Sequence, residues 1–324
     1  MTSYRAAGVD VAAADRHVGR IAKSIVATWG PDVVGEFGGF ASGVRMPPGY
    51  RSPVLMLTTD GVGTKLELAR TSGRWDGVGQ DLVAMCVDDL AVVGARPLGL
   101  VDYMAVGSLD SERDSRIVAS IATACVDAGC SLLGGETAEH PGVMEPDAVD
   151  LAATALGVVE EEDRTGPDRV KVGDVVIGLV SPNLRSNGYS LVRKVLGSEI
   201  DQHMEALLEP SVIYSPAVLA AIAAGGVQAA AHITGGGLVS NLRRSIPQGL
   251  GVVVDTGAWQ TPDVFDLVAR RGVDTAEMYS TFNMGIGFCL IVSPNRIDEV
   301  IRGVAEHSPC VIGMVDDSGA VRLA

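Results

Sequence analysis

Thr58-Thr59-Asp60-Gly61-Val62-Gly63-Thr64-Lys65 gathers an acid, hydroxyls, glycines and a lysine into one short stretch. It follows Val54–Leu57, an apolar run that reads as a buried strand. A carboxylate at a strand end can hold a metal ion, glycines let backbone approach phosphates, and a lysine neutralises them. The same stretch also reads as a plain Asp-Gly turn. Farther on, Asp81 and Asp88 lie nearly in line on one helix face, with Asp89 beside them, and Glu136 follows Gly134-Gly135. Mg²⁺ prefers oxygen ligands and usually takes one or two carboxylates plus phosphate oxygens. Asp60, Asp89 and Glu136 therefore read as acids that hold Mg²⁺ against an ATP tail.

The elements that must position these residues alternate along the chain. An amphipathic helix is expected from Asp10 to about Thr28, after a polar arm at 1–10. A glycine-rich loop, Gly35 to Gly43, precedes the first strand; it suits either a flap over a ligand or a flexible connection. Helices are expected at Gly79–Gly94 and Ser111–Ala128, and strands at Leu98–Val106, Ser131–Leu133 and Leu151–Val159. Residues 160–173 are charged and turn-rich and make the best linker. Beyond it, strands are expected at 174–180, 250–255, 285–292 and 310–315. Helices are expected at 189–196, 215–224, 237–245, 262–271 and 296–306, with 197–210 irregular.

The chain has 324 residues, 47% of them hydrophobic, which is ample for two domains. A net charge of −15 opposes a nucleic-acid surface and means that bound phosphates need Mg²⁺ or local cations. The five cysteines form no Cys-x-x-Cys pair, so neither a zinc site nor a disulfide framework is expected. No basic-then-apolar leader and no long uncharged apolar run are visible, so a cytoplasmic protein with no membrane contact is expected. There is no Gly-x-x-x-x-Gly-Lys-Ser/Thr, no Gly-x-Gly-x-x-Gly after the first strand and no Gly-x-Ser-x-Gly.

TDGVGTKL, GQDLVAMCVDDLAVVGARPL, LLGGETAEHPG, SNGYSLVRKVL, HITGGGL and TFNMGIG occur in that order. On these motifs, from about Ser3 to Gly287, the chain resembles the phosphoribosylformylglycinamidine cyclo-ligase (aminoimidazole ribonucleotide synthetase) family. The resemblance implies ATP-dependent ring closure in purine synthesis, in which ATP phosphorylates an amide oxygen and an internal nitrogen displaces phosphate. It implies an α+β fold of two domains: an N-terminal α+β domain at 1–165, whose sheet pairs across a homodimer into a barrel, and a C-terminal α/β domain at 166–324 with a mixed sheet. Residue by residue, it implies Asp60, Asp89 and Glu136 as metal ligands. Gly38, Gly39, Thr59, Asp60, Gly61, Lys65, Asp81, Asp89, Gly135, Glu136 and Thr137 would lie around ATP. Ser186, Asn187, Thr234, Gly235, Gly236, Gly237 and Asn283 would lie around a phosphoribosyl substrate, and Asp60, Lys65, Asn187 and Arg185 would be the catalytic set. Thr234 to Gly237 open a helix, whose free N–H groups suit an anion.

The sequence departs from that family at three places. Arg185 stands where the family usually has His; Arg cannot shuttle a proton near neutral pH but can clamp phosphate. Ala22 stands at a frequent Lys, with Lys23 about 100° round the helix. Asp88 stands at a frequent Asn. Three readings stay open: the cyclo-ligase, a paralogue activating another amide or carboxylate, and a nucleotide-binding regulator without turnover. Selenophosphate synthetase fits less well, because no Cys precedes Cys86. Thiamine phosphate kinase and hydrogenase-maturation relatives should lack the long DGVGTKL and TFNMGIG matches. His140 and His232 adjoin motifs with no role assigned.

Overall fold

The computed structural model describes residues 10–324, so the polar arm, but for Asp10, lies outside the described residues. Asp10 caps α1 (Val11–Val26) by accepting from the Ala13 N–H, 3.2 Å away. The two-residue strands β1 (Val33–Val34) and β2 (Gly43–Val44) pair antiparallel and hold the glycine-rich loop between them. A four-stranded sheet follows: β3 (Pro53–Gly61), β4 (Arg96–Val106), β5 (Ser131–Glu139) and β6 (Val149–Glu160), in the order β3-β6-β4-β5. Only β4 and β5 run parallel.

Helices α2 (Lys65–Ser72), α3 (Val78–Val92) and α4 (Ser111–Asp127) belong to this half, with α1 packed on α4. Helix α3 is apolar nearly all round, which marks a helix buried on every side. It packs against β3, β4 and β6 and also against β8 and α7 of the other half.

That other half holds β7 (Val175–Val180), β8 (Val227–His232), β9 (Gly251–Val254), β10 (Ile286–Val292), β11 (Cys310–Asp316) and β12 (Val321–Leu323). They form a six-stranded sheet in the order β12-β9-β11-β7-β10-β8, antiparallel except for β12 with β9. Around it lie α5 (Tyr189–Leu196), α6 (Met204–Leu207), α7 (Ser215–Ala224), α8 (Gly237–Arg244), α9 (Asp263–Ala269), α10 (Thr275–Thr281) and α11 (Ile297–Gly303). The largest apolar core is shared, since Leu184, Tyr189, Phe265 and Phe282 join the Leu82, Leu90 and Ile121 cluster.

Four sequence expectations change. Strand β3 is half-buried rather than buried: Leu55 and Leu57 project outward, Leu57 with 69% exposure, because no helix among the described residues covers that face of the sheet. Gly134 to Glu139 continue β5 instead of forming a turn, because β4 offers them a parallel partner. Residues 197–207, expected to be irregular, form a 3₁₀ turn and α6. Strand β8 escapes the sequence because its alanines are weak strand formers; the wholly apolar β10 beside it imposes the pairing.

Candidate active site

The end of β3 and the last turn of α3 bring Asp60 and Asp89 together. Thr58 and Asp60 share one face of β3, and the Thr58 hydroxyl donates to Asp89 Oδ2 at 3.2 Å. Burial raises the Asp60 carboxyl above its ordinary pKa; the Gly61 N–H opposes this and the charge of Asp89 reinforces it. For Asp89 burial acts in the same upward direction, but hydrogen bonds from His232 and Thr58 outweigh it, and its pKa lies below the ordinary value. Two neighbouring carboxylates at the surface of a cleft suit an oxygen-loving divalent cation, and the donor set fits Mg²⁺.

His232, at the end of β8, is the histidine that reaches this site, with Nδ1 2.9 Å from Asp89 Oδ1. Asp89, Thr58, His232 and Arg244 line a cavity of about 320 Å³ between the halves. The turn after β3 also meets the Ser-Asn-Gly turn. A Cβ on Gly63 would lie 4.0 Å from Ser186 O, and the Thr64 and Ser190 hydroxyls are 3.1 Å apart. Asn187 in turn approaches Gly235, whose Cβ would sit 3.5 Å from Asn187 Oδ1. The Ser186 hydroxyl is buried without a hydrogen-bond partner. Gly236 and Gly237 take left-handed φ values of 95° and 62°, and a Cβ on Gly237 would strike Tyr279 O at 1.9 Å. Thr234 to Gly236 are thereby held at the mouth of α8, where the Gly237 N–H donates to Thr234 O and, among the described residues, no side chain caps the helix.

Four residues expected at ligands are instead committed to the interior. Lys65 is fully buried, its Nζ 2.7 Å from Asp81 Oδ2 and 2.8 Å from Glu209 O. Burial pulls its pKa down and Asp81 pulls it back. Asp81 also accepts from Ser211 N and Oγ, so neither member of the pair faces phosphate. Asn283 spends its amide on Asn183 O and the Gly285 N–H. Arg185 is fully buried, held by Asp88 at 2.9 Å and Val212 O at 2.8 Å, and so is no phosphate clamp.

Glu136 does not join Asp60 and Asp89 within one chain. Asp60, Ala153, Asp102 and Gly135 are successive cross-strand partners and point to the helix-covered face. Gly61, Ala152, Tyr103 and Glu136 form the next row and point to the open face. With period-two alternation the two acids lie on opposite faces, three strand spacings or roughly 14 Å apart. No cluster of three or more metal-binding side chains exists among the described residues.

Glu136 instead belongs to a cavity of about 760 Å³ at the edge of β5, roofed by Gly38 and Gly39 and shared with Gly135, Thr137, His17 and Asp102. Thr59 lies on the open face, bonded to Ala153 O at 2.9 Å. Burial pushes the Asp102 carboxyl up to about 7. A Cβ on Gly135 would lie 2.2 Å from Asp102 Oδ1, so glycine is required there. His17 is buried with neither ring nitrogen hydrogen-bonded, and burial lowers its pKa. Ala22 does not line this cavity and Lys23 is exposed. His140 pairs with Tyr103 Oη at 3.1 Å, on the open face. Asp102 and His17 were missed in the sequence. A lone Asp inside the apolar run Leu98–Val106 was the available signal for the first, and nothing marked the second.

Residues 49–159 match the AIR synthase related protein, N-terminal domain, and residues 171–324 match the AIR synthase related protein, C-terminal domain. A phosphoribosylformylglycinamidine cyclo-ligase from Sorangium cellulosum is 45% identical, covering 98% of this chain and 97% of that protein. One from Desulfitobacterium hafniense is 46% identical over 91% of each. Among solved structures, Escherichia coli HypE superposes with a TM-score of 0.70 at 18% identity, covering 96% of this chain and 93% of that one. Thiamine-monophosphate kinase from Stenotrophomonas maltophilia gives 0.67 at 19%, over 95% and 94%. These two share the fold; identity across nearly the whole length separates the cyclo-ligases from them. The chain belongs to the phosphoribosylformylglycinamidine cyclo-ligase family.

Proposed function

We infer that the chain closes formylglycinamidine ribonucleotide to 5-aminoimidazole ribonucleotide, consuming ATP and releasing ADP and phosphate. The observation that carries this is the 45% identity over 98% of the chain to a cyclo-ligase. The nearness of Asp60 to Asp89, and the run of contacts from the turn after β3 through Ser186-Asn187 to Gly235, support it. An amide oxygen is a poor leaving group; its phosphorylation by ATP makes phosphate the leaving group. The tethered amidine nitrogen then attacks the same carbon, the C–O bond to phosphate breaks and a proton leaves the nitrogen. The protein's task is orientation and charge neutralisation. Asp60 and Asp89 hold Mg²⁺, which neutralises ATP phosphate charge when bound. The N–H groups of Gly235 and Gly236 take the ribose phosphate, the Gly237 N–H being spent on Thr234 O, while Ser186 and Asn187 orient the amide.

In this reading residues 1–165 form the nucleotide and dimerisation half and 166–324 the substrate half. The glycine loop closes over the purine base in the cavity beneath Gly38 and Gly39. The open sheet face, with Leu55, Leu57, Val101 and Tyr103 exposed, packs on a second copy to form a barrel. Because Glu136 and Asp60 point to opposite faces, Glu136 of the same copy does not complete a trio with Asp60 and Asp89, and a third acid would have to come from a second copy. The interior position of Arg185 removes the main ground for a different substrate.

The test is purified protein with Mg²⁺, ATP and formylglycinamidine ribonucleotide. One aminoimidazole product per ADP is expected. ATP turnover only with another amide would replace this reading by the paralogue.

A further inference from the structure

Asp88 and Arg185, two of the positions at which the sequence departs from its family pattern, touch each other in the interior. Arg185 Nη2 lies 2.9 Å from Asp88 Oδ2, and both side chains are fully buried. Asp88 Oδ1 accepts from the Tyr214 and Ser215 N–H groups, both at 2.9 Å, at the start of α7. The same Nη2 lies 2.9 Å from His232 Nε2. A guanidinium has donors only, with no lone pair to offer. His232 Nε2 must therefore accept, and the ring hydrogen must sit on Nδ1. From there it donates to Asp89 Oδ1 at 2.9 Å, while Thr58 donates to Oδ2 at 3.2 Å. Both Asp89 oxygens are thus fixed from the protein side, which sets the plane of a carboxylate that remains half-exposed to the cleft.

The backbone is arranged to deliver Arg185 to this place. Its φ is +58°, a left-handed conformation that non-glycine residues rarely adopt. Asn183 fastens the turn: its Oδ1 accepts from the Arg185 N–H at 2.9 Å and its Nδ2 donates to Pro210 O at 2.9 Å. Asn283 then holds Asn183 O. The guanidinium also lies over the Tyr214 ring, 4.9 Å from its centroid. The Arg185 Nε is buried without a partner, so the group is seated for its Nη contacts.

We propose that Arg185 is a positioning residue: it dictates the tautomer of His232 and, through it, the orientation of the Asp89 carboxylate toward the cation. Asp88 and Arg185 are then one charge-compensated exchange and not a new substrate contact. The proposal rests on the reading of Asp89 as a Mg²⁺ ligand, but its first test needs neither metal nor turnover.

Protein labelled with ¹⁵N-histidine, without Mg²⁺ or nucleotide, should show His232 with the hydrogen on Nδ1 and a bare Nε2, the resonance being assigned from His232→Gln. Hydrogen on Nε2, or on both nitrogens, overturns the proposal and leaves the cyclo-ligase reading standing. Arg185→Lys keeps an all-donor cation and should keep the Nδ1–H form; loss of that form in a folded Arg185→Lys protein also counts against the relay. The paired change Asp88→Leu with Arg185→Met removes both buried charges together. It should release His232 into mixed tautomers and weaken the apparent Mg²⁺ constant about 10- to 100-fold, with the KM for the ribonucleotide unchanged. A raised ribonucleotide KM with an unchanged Mg²⁺ constant would make Arg185 a substrate contact. If the paired variant does not fold, the wild-type and Arg185→Lys spectra still decide the question.

Discussion

The seam between the two halves and the cleft beside it use the same acids to opposite ends. In the seam, Asp81 is held by Lys65 and Asp88 by Arg185, each pair fully buried, and backbone N–H groups from residues 211, 214 and 215 complete their coordination. One residue away, Asp89 faces the cleft opposite Asp60. Neither forms an ion pair with a lysine or arginine among the described residues. Charge paired with charge fastens the halves together, whereas Asp60 and Asp89 keep charge of one sign that only hydrogen bonds oppose. Asp88 and Asp89 point in directions about 100° apart on α3, and that angle separates the two roles.

The largest effect on stability should come from breaking the seam. Lys65→Met leaves Asp81 buried without its cation and should cost about 3–5 kcal/mol in urea unfolding. Lys65→Met combined with Asp81→Leu should recover most of that. A loss below about 0.5 kcal/mol for the single change, the scale of an ordinary surface substitution, would move Lys65 back toward the cleft.

Asp102 tests the same contrast through pH. Its folded-state pKa is raised by burial to about 7, so the folded state holds a proton that the unfolded chain releases near pH 4. The full stability is present below the unfolded value, declines as pH rises, and reaches its lowest plateau above about 7. About three pH units at 1.36 kcal/mol each make the total roughly 4 kcal/mol. Asp102→Asn should flatten the profile between pH 4 and 7 and be the more stable protein at pH 8. An unchanged slope would show that Asp102 is solvated.

In the cleft the expected stability effect is small and the functional one large. Asp60→Asn relieves the repulsion from Asp89 and should leave the thermal midpoint level or slightly higher. Turnover and Mg-ATP affinity should fall at least about 100-fold. Equal nucleotide affinity in the variant would remove Asp60 from the site.

The smallest effect on the fold should come from the open face. Leu57→Asp should shift stability by less than about 0.5 kcal/mol while converting a dimer to monomers in sedimentation. Mixing Asp60→Asn with Glu136→Gln protein should restore partial activity if each copy lends one acid. Mixtures as inactive as either parent would confine the site to one chain.

Much of this was legible in the sequence. The 3.6-residue periodicity of α1 and α4 and the apolar runs of β7 and β10 reproduce their structural bounds closely, because local burial and local pattern agree there. Strand β8 was not legible, since a run of alanines becomes a strand only when a partner is already present. Among the candidate site residues, Asp60 lies beside Asp89, and Asn187 beside Gly235. Lys65, Asp81, Arg185 and Asn283 are held by interior partners, which the sequence does not reveal because a charged or amide group reads the same whether it meets a ligand or a buried partner.

By itself the sequence determined the family, most of the long helices and strands and the residue types available for ATP-driven ring closure, since ordered motifs and periodicity are properties of the chain alone. Tertiary structure decided which acids are spent and which remain free. A charge's role depends on what lies within about 4 Å of it, and those neighbours come from residues 31 to 143 positions away for Asp88 and Asp89.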